Sequence, residues 1–343
     1  MSKPKAKLLL KVAVSLAFLG GMAWKLQQGD KWQQISDALG RIGALEWAGI
    51  WLAFVAGHAA GIWKWRYNVN LGIKSERRKL RGADAAQCYS AGMFANLCLP
   101  SIVGGDALKA LLAAKITRRT EAAVVGGLIE RLIDTFALLV LIVVGALLSR
   151  EHMPGWLQSF VLVSVIVGCA GFVLFLPLVL RMKLARWPRK LRRTVGRALV
   201  AMRRLAERPH RALIVLGLSL AIQAWFVLLN ARLGRAIGVE ASLAVWFFAV
   251  PMTKAITLAP ISFGGFGLRE VALAKFLTGM AGVAEVDGWA ASALWQSVLI
   301  STGLIGGGLW WVLGLRAHAQ TGAGHGSLID EQSVAGRAST RHG

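Results

Sequence analysis

The chain has 343 residues, room for one large domain or two ordinary ones, of which 56% are hydrophobic and only 17% charged. Soluble domains carry roughly a quarter charged residues, and apolar blocks of about twenty residues match the length that crosses roughly 30 Å of hydrocarbon. A water-soluble fold is excluded; the net charge of +23 does not indicate nucleic acid either, because Lys and Arg cluster between the apolar blocks with no recognition motif.

In chain order, Lys3, Lys5, Lys7 and Lys11 accompany an apolar run from Leu8 to about Leu26, read as a retained first span rather than a signal peptide. Trp32, Ile35, Leu39 and Ile42 share one helical face, which predicts an amphipathic helix lying in the outer interface. A second span is predicted from about Leu45 to Trp65, with Trp63 and Trp65 at its interface. A basic loop follows, holding Lys64, Arg66, Lys74, Arg77, Arg78, Lys79 and Arg81.

After an irregular region, Lys115, Arg118 and Arg119 mark the same side again. A third span covers about Ala122 to Leu148, and a turn containing Pro154 leads to a fourth from about Trp156 to Leu180. Arg181 to Arg211 hold twelve basic residues and one acid, and Trp187 to Leu205 read as a basic surface helix on anionic lipid. A fifth span covers about Ala212 to Leu233, a second irregular region follows, and the last span runs from about Gly288 to Leu315. The tail, 317–343, is rich in Gly, Ser, Thr and Ala and is predicted to be disordered. The charge bias predicts that both termini and the basic loops lie on the cytoplasmic side.

The two irregular regions carry the most information. One reads Leu99-Pro100-Ser101-Ile102-Val103-Gly104-Gly105-Asp106-Ala107-Leu108-Lys109, the other Ala259-Pro260-Ile261-Ser262-Phe263-Gly264-Gly265-Phe266-Gly267-Leu268-Arg269-Glu270. Proline, the glycine pair, the leucine and a basic residue coincide at a constant offset of 160 positions. Proline ends a helical limb, and paired glycines admit unusual backbone or close approach. Each region is read as a re-entrant helical hairpin, one entering from each face. The expected fold is therefore all-α and polytopic: about six full spans and two hairpins in an inverted repeat (about 45–148 and 212–315), or eight or more spans if the hairpins cross. The membrane domain is expected to cover 1–316.

Charged residues inside apolar helices nominate a site. Lys109, Arg269 and Arg131, with the amides around Gly104, Gly105, Gly264 and Gly265, are candidates for binding a lipid head group. Asp106, Glu130, Asp134, Glu270 and Lys254 are candidates for supporting them. Arg131 is expected to reach Asp134 at i, i+3, and Lys109 and Arg269 to point toward a common centre. The structural alternatives are glycines that only permit packing and an ion pair that only braces a hairpin. His58 is expected to pack, and Cys88, Cys98 and Cys169 to behave as small hydrophobes. No Walker loop, GxSxG, HExxH or Cys/His metal spacing is present, so no cofactor and no catalysis are expected.

Three marks taken together, Leu99-Pro100-x-x-x-Gly104-Gly105-Asp106-x-x-Lys109, Glu130-Arg131-x-x-Asp134 and Pro260-x-x-x-Gly264-Gly265-x-Gly267-x-x-Glu270, resemble the lysylphosphatidylglycerol synthase transmembrane region family. This is the flippase-like membrane domain of the bacterial multiple peptide resistance factor. The resemblance spans about Leu8 to Leu315 and implies movement of a phospholipid or other polar lipid between leaflets. It does not carry over synthase activity, which in full-length relatives sits in a separate soluble domain. Lys109 stands where the family motif leads one to expect Arg, which removes bidentate phosphate geometry. The other expectations kept open are a non-transporting accessory that recruits a lipid- or glycan-modifying enzyme and an intramembrane enzyme using Glu130 and Asp134 as acid and base.

Overall fold

The computed structural model describes residues 31–71, 73, 75–98, 102–155, 157–163, 166–168, 170–171, 196, 209–258 and 267–339. The first span, the basic surface helix, Cys169, Pro100, Pro260, Gly264, Gly265 and most of the fourth span lie outside them. The described residues are helical with no strand: α1 (Lys31–Gly40), α2 (Ala44–Leu71), α3 (Gly82–Cys98), α4 (Ile102–Thr117), α5 (Thr120–Leu148), α6 (Pro209–Ala236), α7 (Leu243–Leu258), α8 (Leu268–Ala281) and α9 (Glu285–Ser339). An apolar helical stretch at Leu157–Gly168 precedes the basic segment.

Among the described residues, four helices are long and apolar enough to cross a membrane: Ala44–Leu71, Thr120–Leu148, His210–Ala236 and Glu285–Gly314. Their outward faces are greasy and bare, as at Leu52, Leu147, Leu213, Leu304 and Trp311, which suits lipid as the solvent. This is an all-α polytopic membrane protein. The four helices between them are short. At 1.5 Å per residue the 17 residues of α3 extend only about 25 Å, less than the hydrocarbon thickness.

The order long, short, short, long occurs twice, as α2–α3–α4–α5 and as α6–α7–α8–α9. In both, the short pair packs on itself as a hairpin, with its break at the motif: α3 ends at Cys98 and α7 at Leu258, again 160 positions apart. The first arm of each hairpin packs chiefly on the last long helix of the other half, α3 on α9 and α7 on α5. The halves are thereby interlocked.

Glycines make both crossings possible. A Cβ on Gly145 of α5 would collide with the Phe247 carbonyl of α7, and one on Gly306 of α9 would stand 3.1 Å from the Ser90 carbonyl of α3. Pro251, four residues beyond Phe247 inside α7, has no N–H to offer that carbonyl, so the close approach falls where the ladder is already open. Gly145→Ala is expected to lower stability by about 1–3 kcal/mol through overpacking. Gly127→Ala, with nothing within 4 Å of the new methyl, is expected to be neutral or mildly stabilising, as better helix propensity dictates. Thermal unfolding of the two purified variants in detergent checks the contrast.

Two expectations change. The apolar face of α1 is not free to lie on lipid: Ile35 and Ala38 are buried and the helix packs on α9. The second span does not end at Trp65, because α2 continues to Leu71; Trp65 is fully buried while Trp63 is half exposed. Helix α9 is continuous from Glu285 to Ser339, with no proline after Pro260 in the chain. Arg66 and Asn70 tie the basic loop back to α2 through the Leu80 backbone, at 2.8–3.1 Å.

Candidate functional site: a cationic cavity between the hairpins

The charged turn of α5 is held by its neighbours. Glu130 accepts a hydrogen bond from Lys109 of α4 at 2.7 Å, and Asp106 of α4 lies 3.5 Å from the same ammonium. Arg131 pairs with Asp106, and Asp134 pairs with Lys64 of α2. Arg131 therefore does not close onto Asp134 within its own helix, as the i, i+3 spacing predicted. Each acid instead meets a cation from another helix, because α2, α4 and α5 present these residues on their mutually buried faces.

Lys109 is 6% exposed and also lies over the rings of Tyr89 and Trp65, with its ammonium 4.8 and 5.2 Å from their centroids. Three cations (Lys64, Lys109, Arg131) and three carboxylates (Asp106, Glu130, Asp134) make the cluster neutral as a unit.

Beside this cluster lies a cavity of about 310 Å³. The C-terminal ends of both first hairpin arms reach it, through Asn96 and Leu97 of α3 and Thr257 and Leu258 of α7, and all four long helices contribute to its wall. Three cations line it: Arg131, Lys254 and Arg269. No carboxylate among the described residues does. Lys254 donates to the Gln223 amide oxygen at 3.2 Å and Arg269 to the Gln296 amide oxygen at 2.7 Å. Neither has a described carboxylate at ion-pairing distance. Arg269 stands in the first turn of α8, so the positive end of that helix adds to the same field. The rest of the wall is largely apolar and aromatic, with Phe54, Phe226 and Trp295 packed on one another at centroid distances of 4.7–6.5 Å.

The cavity and the charge cluster are joined. Gln223 donates to the Asp134 carbonyl oxygen at 2.8 Å while accepting from Lys254, and Lys64 donates to Ser219 at 3.0 Å, one turn before Gln223 on α6.

Of the residues nominated by the sequence, Arg131, Lys254 and Arg269 are brought together at the cavity. Lys109 is not: it points into the cluster rather than the common centre, because Glu130 lies across from it. Gly104 and Gly105 lie inside α4, which starts at Ile102, and a Cβ on Gly105 would collide with Asn96 and the Gly92 carbonyl. Gly105 thus serves packing of α4 on α3. Glu270 is buried beside Arg269 in sequence but does not line the cavity, and one of its oxygens has no hydrogen-bond partner. His58 packs against Phe54 and Phe226 as expected and also lines the wall. Cys88 is buried and Cys98 exposed, both as free thiols.

Sequence reasoning missed Lys64, Gln223, Gln296 and Pro251. Lys64 looked like loop charge next to Arg66, yet it follows Gly57 and Gly61 at helical spacing on the buried face of α2. Ser219, Gln223 and Asn230 are the polar positions of an otherwise apolar stretch and recur at helical intervals, a signal that was available.

The fold and this cavity define a multi-pass helical membrane protein with a polar chamber between two broken elements. The sequence model of the family described as lysylphosphatidylglycerol synthase TM region matches residues 8–307, and the chain belongs to that family. Membership gives it a membrane lipid-related role. No curated protein and no solved structure matches the chain.

Proposed function

We propose that this protein moves a polar lipid with an anionic head group between leaflets, with the head group passing through the cavity between the hairpins. One observation carries the reading: Arg131, Lys254 and Arg269 line a chamber to which no described residue contributes a carboxylate. A cation inside a membrane is costly without a counter-charge, and a phosphate entering the chamber supplies one. The amides that hold Lys254 and Arg269 leave both without a described carboxylate at ion-pairing distance. The acyl chains stay outside, along the apolar faces of the long helices.

The repeat supports alternating exposure. Each half holds two crossing helices around one hairpin, and the single span expected between the halves turns the second half over, giving an inverted pair. The two halves meet through α3 on α9 and α7 on α5, so a rocking of one interlocked unit against the other opens the chamber to one face at a time. Reconstitution in vesicles tests the proposal. Fluorescent phosphatidylglycerol placed in one leaflet is expected to appear in the other at a protein-dependent rate. Folded protein that transfers no anionic lipid in either direction contradicts it.

A further inference from the structure

The two hairpins carry corresponding cations with different partners. Lys109 and Arg269 occupy the same motif position, 160 residues apart, and each donates one hydrogen bond of 2.7 Å to the long helix that follows. In the first half the acceptor is the carboxylate of Glu130; in the second it is the amide of Gln296. The same contrast separates Lys64 from Lys254: Lys64 pairs with Asp134, whereas Lys254 donates to the amide of Gln223 and has no described carboxylate at ion-pairing distance. A carboxylate fixes a cation and cancels it. An amide oxygen fixes the cation and leaves its charge in the field.

Resting on the transport reading above, we infer that Gln296, and Gln223 with it, sets the charge selectivity of the chamber. The head group accepted is a phosphate or phosphodiester without a compensating ammonium, and an aminoacylated, cationic head group is rejected. The chamber offers such an ammonium no described carboxylate, and its cations repel it. Gln223 and Gln296 are positioning residues: they act through Lys254 and Arg269.

The test is native mass spectrometry of the full chain in detergent, offered equal amounts of phosphatidylglycerol and lysylphosphatidylglycerol. Wild type is expected to retain phosphatidylglycerol at least tenfold more. Gln296→Glu keeps the side-chain shape, reproduces the pairing of Lys109 with Glu130, and is expected to reduce that ratio at least tenfold. Gln296→Met, which removes the amide without adding charge, is expected to bind phosphatidylglycerol more weakly while keeping the ratio. If the glutamine were merely structural, Gln296→Glu would also move affinity for both lipids together. A wild-type preference that Gln296→Glu leaves within twofold overturns the role of Gln296 with the transport reading intact. Equal retention of the two lipids by wild type overturns the inferred head-group class, and retention of neither overturns the transport reading itself.

Discussion

Lys109→Met is expected to destabilise the protein by about 3–5 kcal/mol, because it leaves Glu130 buried without its counter-ion. Lys109 is more than nine-tenths buried, holds Glu130 at 2.7 Å and Asp106 at 3.5 Å, and fills the space between two aromatic rings. A loss of that size is a large part of the 5–15 kcal/mol that holds a typical domain together. Thermal unfolding in detergent is expected to show a much lower midpoint or no folded protein. The paired variant Lys109→Met with Glu130→Gln removes both charges and is expected to recover most of the stability, since replacing a whole buried pair is often neutral. Failure of the pair to recover anything would mean that Lys109 acts through packing on Trp65 and Tyr89 instead.

The second half is expected to respond in the opposite sense. Lys254→Gln and Arg269→Gln remove cations held only by amide oxygens, so neither strands a described carboxylate. Stability is expected to stay level or rise, as happens when a functional site held under strain is relaxed. Transfer of anionic lipid is expected to fall about 10- to 100-fold for each, from roughly 1.5–3 kcal/mol per charge-assisted hydrogen bond to the phosphate. The double variant is expected to be inactive. Corresponding cations thus separate into one that holds the fold and one that serves the ligand, and stability and transfer measured on the same preparations tell them apart.

The architecture was legible because membrane helices are constrained by length and hydropathy alone. The breaks predicted at the two motifs fall where α3 ends at Cys98 and α7 at Leu258, each two positions before the shared proline. The shared proline marked both breaks, because it lacks the N–H a helix needs, whereas Gly104 and Gly105 lie inside α4. The partners of the charges were not legible. Spacing along one helix suggested that Arg131 meets Asp134, but the pairs formed across helices, with Asp106 and Lys64. Which cation each acid meets depends on helix rotation and depth, and one sequence does not encode those in a readable period. The neutral glutamines were overlooked for a related reason. An uncharged polar residue in a span is a weak signal until its neighbour proves to be an unpaired cation.

Modification of introduced thiols tests the cavity most directly. With Cys88, Cys98 and Cys169 replaced by alanine, single cysteines at Leu97 and Thr257 place one probe at the end of each first hairpin arm, on the wall of the same chamber. In reconstituted vesicles a small charged thiol reagent is expected to label both positions, and phosphatidylglycerol in the bilayer is expected to slow both reactions relative to vesicles of a neutral lipid. Two unreactive positions would mean a dry chamber, and labelling that ignores the lipid would mean a wet one that holds no head group; either result contradicts the account.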